Sequence, residues 1–380
     1  MNKFKFEVIH QSKKSRARVG KIHTPHGIID TPNFVAVGTN AALKALDSKS
    51  VEQLGQQLMF ANTYHLMLQP GTEIIKAAGG IHKFMNRSMP IITDSGGFQV
   101  FSLMYGGVHN ELKSKGTKKH DSSVLKISED GVLFRSYRDG AKILLTPETS
   151  IQAQKDIGAD ILISFDELPP YHTDPLQLKK SLDRTHRWEV RSLAEFIQEG
   201  KRPVLSQALY AVIHGGLDQE LRAQSCAFLS QHNFDGFAIG GSLGQNREQM
   251  FELLTFLMPH IQQDKPNHLL GIGDLPSIER IVPLGIDTFD SSHPTKAARH
   301  GLLFTPQGNK RITQSGNATL MRPIQDGCMC YACTHYTVAY LCHLFKAHEL
   351  SFYTLATMHN IHFMVNLMQS YREKILNGDI

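Results

Sequence analysis

Asp94 and Asp290 are the two side chains of this sequence best placed to act on a bound molecule. Asp94 follows the apolar run 90–93 and precedes Gly96 and Gly97, whose missing Cβ lets backbone amides approach a ligand closely. Two carboxylates at one site suit a retaining displacement at an anomeric carbon, in which one attacks C1′ and the other transfers protons. Each also has a structural interpretation: Asp94 as the cap of a tight turn, and Asp290 as a strand-end residue that binds loop amides.

Three cysteines within six residues form the strongest metal-binding pattern. The spacing of Cys328, Cys330 and Cys333 lets three thiolates converge tetrahedrally on zinc. The histidines that follow and could supply a fourth ligand are His335, His343, His348, His359 and His362. We favour His359, because His335 is too near Cys333 to complete the tetrahedron and His359 lies on an amphipathic helix that must fold back over the cysteines. Four protein ligands leave no position for water, which predicts one structural Zn²⁺ per chain.

Eight short apolar runs, rich in β-branched or aromatic residues, must position these side chains. The runs are residues 33–37, 58–61, 90–93, 160–165, 208–213, 234–239, 268–272 and 286–289. Most of the intervening segments can form a helix, for example 48–57, 147–157 and 246–259. This alternation predicts an α/β fold of the (β/α)8 TIM-barrel type better than an open doubly wound sheet.

The residues that end the eight runs form a candidate active-site rim, because barrel enzymes carry their chemistry on the loops after the strands. They are Gly38-Thr39, Asn62-Thr63, Asp94-Ser95, Asp166-Glu167, His214-Gly215-Gly216, Gly240-Gly241-Ser242, Gly273-Asp274 and Asp290-Ser291. Chance would make one or two strand ends polar, whereas all eight are polar or glycine. We therefore expect a functional rim.

Three units are predicted along the chain. Residues 1–31 form an N-terminal β-hairpin cap, whose basic turn 13–18 is interpreted as a solvated loop. The catalytic barrel covers residues 32–304 and is interrupted at about 104–130 by a lysine-rich segment, which we interpret as a surface loop. Residues 305–380 form the zinc-binding subdomain, with an amphipathic stretch over 350–368.

The composition narrows the class of protein. With 380 residues, 41% of them hydrophobic, the chain can bury a large core. The N-terminus lacks the apolar core of a signal peptide and no run approaches the roughly 20 apolar residues that span a bilayer, so we expect a cytoplasmic protein with no membrane partner. A formal charge of +5 permits a nucleic-acid partner without requiring one. The clustered cysteines indicate metal binding in a reducing compartment, with Cys226 and Cys342 as core thiols.

Over residues 19–368 the sequence resembles the tRNA-guanine transglycosylases, also called queuine tRNA-ribosyltransferases. The motifs that carry the resemblance are Val37-Gly38-Thr39, Asn62-Thr63-Tyr64-His65-Leu66, the segment 93–103, Phe165-Asp166-Glu167, Phe289-Asp290 with Pro294-Thr295, the three cysteines, and Thr357-Met358-His359-Asn360. The resemblance implies a (β/α)8 barrel with a zinc subdomain, usually homodimeric. It also implies exchange of the wobble guanine in the anticodons of the tRNAs for Tyr, His, Asn and Asp by a 7-deazaguanine base.

The resemblance also implies residue roles. Asp290 becomes the nucleophile that forms a covalent ribosyl-enzyme, and Asp94 the general acid and base at the leaving guanine. The implied base-binding residues are Asn62, Ser95, Gly96, Gly97, Phe98, Asp166, His214, Gly241 and Leu270, with Asp166 at the Watson–Crick edge and Phe98 and Leu270 on the two faces. The implied contacts to the tRNA anticodon loop are Gly271, Ile272, Gly273, Asp274, Leu275, Pro276, Ser277, Thr295, Lys296, Ala297, Ala298 and Arg299. Cys328, Cys330, Cys333 and His359 match the family's zinc ligands.

Four departures from the family pattern concern the predicted base pocket. His214 replaces the glutamine of an Ile-Gln-Gly-Gly motif, and residues 168–170 read Leu-Pro-Pro where bacterial members have Cys-Thr-Pro. The loop 240–244 is one residue shorter, and the lysine-rich segment is longer. Bacterial members insert 7-aminomethyl-7-deazaguanine, whose ammonium needs carbonyls near the shortened loop. We hypothesise that the altered pocket accepts queuine, whose cyclopentenediol needs more room.

Two rival functions fit the sequence less well. A catalytically silent tRNA-binding subunit would not need both Asp94 and Asp290. A metal-dependent barrel hydrolase would need histidines and carboxylates on the rim to hold its zinc, but the cysteines lie in the tail and the rim offers only His214.

Overall fold

The predicted barrel is confirmed. The structure is a computed structural model that describes residues 4–104, 124–198 and 207–380. Numbering the strands in chain order, the barrel consists of β4 (Asn33–Val37), β5 (Met59–Ala61), β6 (Ile91–Thr93), β10 (Ile161–Ile163), β11 (Ala208–Ile213), β12 (Gly236–Ile239), β13 (Asn267–Leu269) and β14 (Thr288–Ser291). Each pairs in parallel with the next, and β14 pairs with β4 to close the ring. Each predicted apolar run overlaps one of these strands.

The barrel strands are buried on both faces, which explains their continuous apolar sequences. In β11 all six residues are buried. The helices that cover the outside are α1 (Ser48–Gln53), α2 (Thr63–Leu68), α3 (Thr72–Ala77), α4 (Ile81–Phe84), α5 (Gly97–Met104), α6 (Pro147–Ile157), α7 (Pro175–Ile197), α8 (Gln219–Leu229), α9 (Arg247–Leu257), α10 (Leu275–Ile281) and α11 (His293–Arg299). The α6 helix has the predicted bounds, because a Thr146 capping box begins it and the left-handed Gly158 ends it. The first predicted helix is shorter than expected and ends at Gln53, just before Gly55, whose φ is +81°.

The N-terminal unit is a three-stranded antiparallel sheet and not a simple hairpin. It consists of β1 (Lys5–Gln11), β2 (Arg18–Thr24) and β3 (Gly27–Thr31). Ile22 and Ile29 belong to the same buried cluster as Phe60 and Ile92 of the barrel strands. The sheet therefore closes the end of the barrel at which the strands begin.

Part of the predicted lysine-rich loop forms a strand. Its last residues form β7 (Val124–Ile127), which pairs with β8 (Val132–Arg135), and β9 (Lys142–Leu145) completes a second antiparallel sheet. Val124, Val132 and Phe134 belong to the same buried cluster as Tyr64 and Phe101. The prediction of a surface loop is therefore wrong for residues 124–127. The predicted side chains Lys113, Lys115, Lys118, Lys119, His109 and His120 lie outside the described residues.

The C-terminal residues pack against the barrel through one long helix. After the short strands β15 (Leu302–Leu303) and β16 (Lys310–Arg311) come α12 (Tyr331–His335), α13 (Val338–Lys346) and α14 (Leu350–Leu376). The predicted amphipathic stretch is thus confirmed and extends eight residues further, from 368 to 376. From α14, Asn360 accepts a hydrogen bond from Phe304 N and donates to the carbonyls of Pro294 and Leu302. Among the described residues, no helix is long and apolar enough to cross a membrane.

A buried ion pair joins the N-terminal sheet to the barrel. Arg18, expected in a solvated turn, donates to Asp287 from Nε at 2.8 Å and from Nη2 at 2.6 Å, and both side chains are buried. Asp287 also accepts from Asn267 N at 2.9 Å. Burial raises the pKa of Asp287, although Arg18 and Asn267 favour its ionised form. Arg18 therefore stabilises the buried Asp287 carboxylate, which lies only three residues before Asp290 in the chain.

We predict that Arg18→Met lowers the free energy of unfolding by about 3–5 kcal/mol, because it leaves a buried carboxylate without its partner. Urea denaturation at pH 7 measures this loss. Arg16→Met, which removes an exposed charge from the same turn, is the matched control. The double substitution R18M/D287L should recover most of the loss, and a single-mutant effect below about 1 kcal/mol would contradict the interpretation.

Candidate active site

A cavity of about 530 Å³ opens at the carboxyl ends of the barrel strands. Most of its polar lining comes from the predicted rim; the other polar residues are His65, Gln99, Tyr171, Gln245 and Ser292. Rim residues that line it are Thr39, Asn62, Asp94, Ser95, Asp166, Gly240, Gly241, Ser242, Asp290 and Ser291. A pocket of this size takes a small organic ring system with its substituents.

Asp94 is buried at the end of β6 and accepts four hydrogen bonds. Its Oδ1 accepts from the backbone amides of Thr63 at 2.8 Å and Gly96 at 3.3 Å. Its Oδ2 accepts from the side-chain amides of Asn62 at 2.6 Å and Gln99 at 2.8 Å. Burial is the strongest influence and raises the pKa of Asp94, while these donors act in the opposite direction. A carboxyl group under such opposed influences is suited to proton transfer.

Asp290 has a different environment at the end of β14. Its Oδ1 lies 3.2 Å from Nε2 of His268 and accepts from Gly271 N at 2.8 Å. The fully buried His268 ring also lies 2.9 Å from Oγ1 of Thr288 through its Nδ1. Among the described residues, Asp290 Oδ2 receives no hydrogen bond. One carboxylate oxygen is thus anchored and the other is available to react.

Asp166 belongs to a third polar group on the cavity wall. Its Oδ1 accepts from Oγ of Ser95 at 3.2 Å, and its Oδ2 lies 2.6 Å from Nε2 of His214. His214 is 3% exposed and does not line the main cavity. The His214 ring contacts Asp166 from behind, and Asp166 faces the cavity, so direct contact of His214 with the base stays a prediction.

Apolar side chains supply two further walls. Phe98 on α5 is 48% exposed and lines the cavity, as does Leu270 after β13. Gly241 has φ +76°, and a Cβ there would lie 2.8 Å from Nδ1 of His214, so this position requires glycine. Gly96 and Gly97 contribute backbone, with Gly97 N donating to Oγ of Ser95 at 3.3 Å.

A second cavity of about 230 Å³ lies next to the first. The residues common to both linings are Pro169, Pro170, Tyr171, Gly241 and Ser242. Beyond them the second cavity is lined by Thr173, Leu178, His214, Leu217 and Asp218, among others. Three departures from the family pattern therefore lie where the two cavities meet: residues 168–170, 214 and 242.

A buried arginine connects the two loops at this junction. Arg222 of α8 is fully buried and donates to the carbonyl oxygens of Ile213 at 2.6 Å, Gly216 at 2.9 Å, Gly240 at 2.8 Å and Ser242 at 3.1 Å. Burial lowers its pKa to about 10, so it remains protonated near neutral pH. One cation thus fixes the backbone of both loops.

The predicted RNA-binding residues divide into accessible and buried sets. Gly271, Ile272, Asp274, Leu275, Pro276, Lys296 and Arg299 are at least partly exposed. Gly273, Ser277, Thr295, Ala297 and Ala298 are buried, because they pack α10 and α11 onto the barrel. The buried residues can shape these segments but, in this conformation, their side chains do not face a bound RNA.

The three cysteines and His359 converge as predicted. His359 Nδ1 lies 3.9, 3.6 and 3.4 Å from Sγ of Cys328, Cys330 and Cys333. These distances are close to the roughly 3.6 Å edge of a tetrahedron built from ordinary Zn–S and Zn–N bonds. His359 Nε2 lies 2.7 Å from the carbonyl oxygen of Phe304, which can only accept a hydrogen bond. The ring proton therefore lies on Nε2, which leaves Nδ1 free to bind a cation. The cluster can therefore hold a metal ion.

Comparison with known proteins decides the family. The family model described as queuine tRNA-ribosyltransferase matches residues 12–380. The chain belongs to the queuine tRNA-ribosyltransferase family. It is 64% identical over 375 residues to the queuine tRNA-ribosyltransferase of Protochlamydia amoebophila, covering 99% of this chain and 96% of that protein. It is 54% identical over 377 residues to that of Chlamydia caviae, covering 99% of both.

Several residues that shape this member of the queuine tRNA-ribosyltransferase family were not identified from sequence. Gln99 lies in the segment 93–103, five residues after Asp94 and on the short helix α5. This position could have suggested its contact with Asp94. His268 could have been found from strand register, since it pairs with Thr288 and Asp290 lies two residues further on the same face. Arg222 had no local signal, because its acceptors are carbonyls of remote loops.

For the chain purified without chelators, we predict one tightly bound metal ion, measured by mass spectrometry of the metal content. Cys330→Ala should lose most of the metal and lower the melting temperature, because three ligands bind more weakly than four and a buried site is left open. Cys342→Ala, another buried thiol of the same region, should retain the metal. Metal-free wild-type protein of unchanged stability would contradict the assignment.

Proposed function

We propose that this chain exchanges the wobble guanine in the anticodons of the tRNAs for Tyr, His, Asn and Asp for a 7-deazaguanine base, as part of queuosine modification. The observation that carries the proposal is that Asp94 and Asp290 line one cavity with different environments. The names of the relatives and the family support the same reaction.

The first displacement uses the free oxygen of Asp290. We propose that the guanine lies between Phe98 and Leu270, with Asp166 accepting from its Watson–Crick edge and Asn62 near the ribose. Asp290 Oδ2 attacks C1′ as the C1′–N9 bond breaks, and protonated Asp94 gives its proton to the departing guanine. The products are free guanine, a ribosyl ester on Asp290 and ionised Asp94.

The second displacement reverses these roles. The incoming base loses its ring N–H proton to Asp94 and attacks C1′, which expels the Asp290 carboxylate and restores the starting protonation states. The raised pKa of Asp94 supports this cycle, because it favours the protonated form that the first displacement requires.

The remaining parts of the proposal concern partners. We assign Zn²⁺ to the Cys3His cluster in a structural role, since four protein ligands complete its coordination. Exposed Lys296 and the half-exposed Arg299 are assigned to tRNA phosphates, with the exposed segment after β13 near the anticodon loop. We also propose that the protein is a homodimer and that it acts in the cytoplasm, where tRNA is modified. Sedimentation of the purified protein tests the dimer.

Exchange of radiolabelled guanine in unmodified tRNA tests the catalytic pair. Asp290→Asn should abolish both exchange and the covalent RNA adduct trapped on a denaturing gel, because an amide cannot act as the nucleophile. Asp94→Asn should lower exchange by about 10²–10⁴-fold, the usual contribution of a general acid and base. Asp264→Asn, an exposed aspartate outside the cavity, is the control. A covalent adduct formed by Asp290→Asn would refute the nucleophile assignment.

We further propose that queuine is the physiological base. The second cavity supports this choice, because it adjoins the main cavity at Gly241 and Ser242 and could receive the cyclopentenediol. Tyr171, Thr173 and Asp218 supply the polar groups that a diol would bind there.

Competition between the two bases for unmodified tRNA tests this choice. We predict a higher kcat/KM for queuine than for 7-aminomethyl-7-deazaguanine. Thr173→Trp, which fills the second cavity, should raise KM for queuine by roughly tenfold or more and leave that for the smaller base nearly unchanged, because lost apolar and polar contacts each cost about 1–2 kcal/mol. Thr173→Ser is the matched control. A strong preference of the wild type for the aminomethyl base would refute the queuine proposal.

A further inference from the structure

The turn between β8 and β9 carries an exposed aromatic side chain beside the main cavity. Tyr137 is 56% exposed, and its ring stacks on buried Tyr64 with 6.1 Å between centroids and a 29° interplanar angle. It meets His65 edge-on, with centroids 6.3 Å apart and Tyr137 Oη 3.5 Å from His65 Nδ1. His65 itself lines the cavity. The Tyr137 ring therefore continues the cavity wall outward onto the surface.

The turn that presents Tyr137 is held by its own backbone. Ser136 N donates to the carbonyl of Ala141 at 2.9 Å, and Gly140 N donates to the carbonyl of Ser136 at 2.9 Å. Asp139 Oδ1 accepts from Ala141 N at 3.1 Å. The exposed ring is thus held in place before any ligand arrives, which lowers the entropic cost of binding on it.

One cation lies beside this ring and two more lie on the strands that lead to it. The guanidinium of Arg138 lies 5.8 Å from the Tyr137 ring centre, and Arg135 and Lys142 stand opposite each other on the strands that lead into the turn. Across the cavity edge, burial and then the charges of Arg138 and Lys44 lower the pKa of His65. The neutral form of the His65 ring is therefore favoured, and Arg138 lies beside the Tyr137 ring.

We propose that Tyr137 and Arg138 bind the nucleotide that adjoins the exchanged one: its base stacks on Tyr137 and its phosphate pairs with Arg138. An exposed aromatic ring flanked by cations is the combination that binds single-stranded nucleic acid. This inference rests on the proposed tRNA function, which places one nucleotide of an RNA loop in the cavity.

The position in the barrel supports an RNA strand as the occupant. The Tyr137 turn lies over α2, which follows β5, and next to the loop after β6. In the closed ring, β6 is separated from β13 by three strands on either side, so the two loops stand opposite each other. The segments assigned to the anticodon loop from the resemblance follow β13 and β14. An RNA strand with one nucleoside in the cavity must continue across the rim on either side of it. The Tyr137 turn lies on the side of the rim opposite those segments.

An anticodon stem-loop with 2-aminopurine on either side of the exchanged guanine tests the stacking directly. With wild-type protein, fluorescence from one flanking position should be quenched on binding. Tyr137→Ala should remove this quenching and raise KM for the RNA by about tenfold, because base–aromatic stacking contributes roughly 1–3 kcal/mol per base. Tyr137→Phe should retain the quenching. The KM for the free base should change little in either variant, since the ring lies outside the cavity lining.

Salt dependence tests the phosphate contact. Arg138→Ala should reduce the slope of log K against log salt by about 0.7–1, the effect of one phosphate contact. The matched controls are Lys83→Ala and Phe84→Ala, an adjacent exposed cation and aromatic ring on α4, just before β6 begins and so toward the other end of the barrel. Both controls should bind and react like the wild type.

The outcomes separate this inference from the proposed function. If the wild type exchanges guanine but Y137A and R138A keep its RNA affinity, quenching and salt slope, the inference is wrong and the proposed function stands. If the wild type exchanges no guanine while the fluorescent RNA still loses its quenching with Y137A, the proposed reaction fails and the RNA-binding surface stands. Equal losses in the Lys83 and Phe84 controls would also overturn the inference, because they would show a general charge or stability effect.

Discussion

Closure of the parallel barrel is the constraint on which the site depends. Because all eight strands run in the same direction and β14 pairs with β4, every strand ends at the same rim. Residues distant in sequence, such as Asp94 and Asp290, thereby line one cavity. The opposite end must be closed for the interior to stay dry, and the N-terminal sheet does this with Ile22, Ile29 and the buried Arg18–Asp287 pair.

Burying carboxylates is unfavourable, and the protein compensates differently at each one. Asp94 receives four hydrogen bonds, yet burial still raises its pKa, so its charge is only partly offset. Asp290 is anchored through a single oxygen by His268 and Gly271, which leaves the other oxygen for bond formation. The same residue type thus acquires two environments, and the difference follows from the donors on neighbouring strands and loops.

The architecture could be predicted from the sequence, but the long-range polar contacts could not. Apolar runs and strand-end residues predicted the barrel and its rim, because parallel strands bury both faces and their periodicity is local. The metal cluster was predicted from local patterns as well: the spacing of the cysteines and the position of His359 on an amphipathic helix. The burial of Arg18 and the acceptors of Arg222 could not be predicted, since both depend on partners 269 and up to 20 residues away. For His214, the sequence predicted the position on the rim but not the direction of the ring, because that direction depends on the contact with Asp166.

Two of the departures from the family pattern, His214 and the shortened loop 240–244, form one connected unit. His214 and Ser242 lie on the two loops whose carbonyls Arg222 binds, and a Cβ at Gly241 would collide with the His214 ring. A change in either loop therefore has to be accommodated by the other, since one guanidinium bonds to both and the His214 ring leaves no room for a Cβ at Gly241. Asp94 and Asp290 lie outside this unit, with donors of their own from the loops after β5, β6 and β13. The shape of the pocket beyond the reacting ring can thus vary while the geometry of bond exchange stays the same.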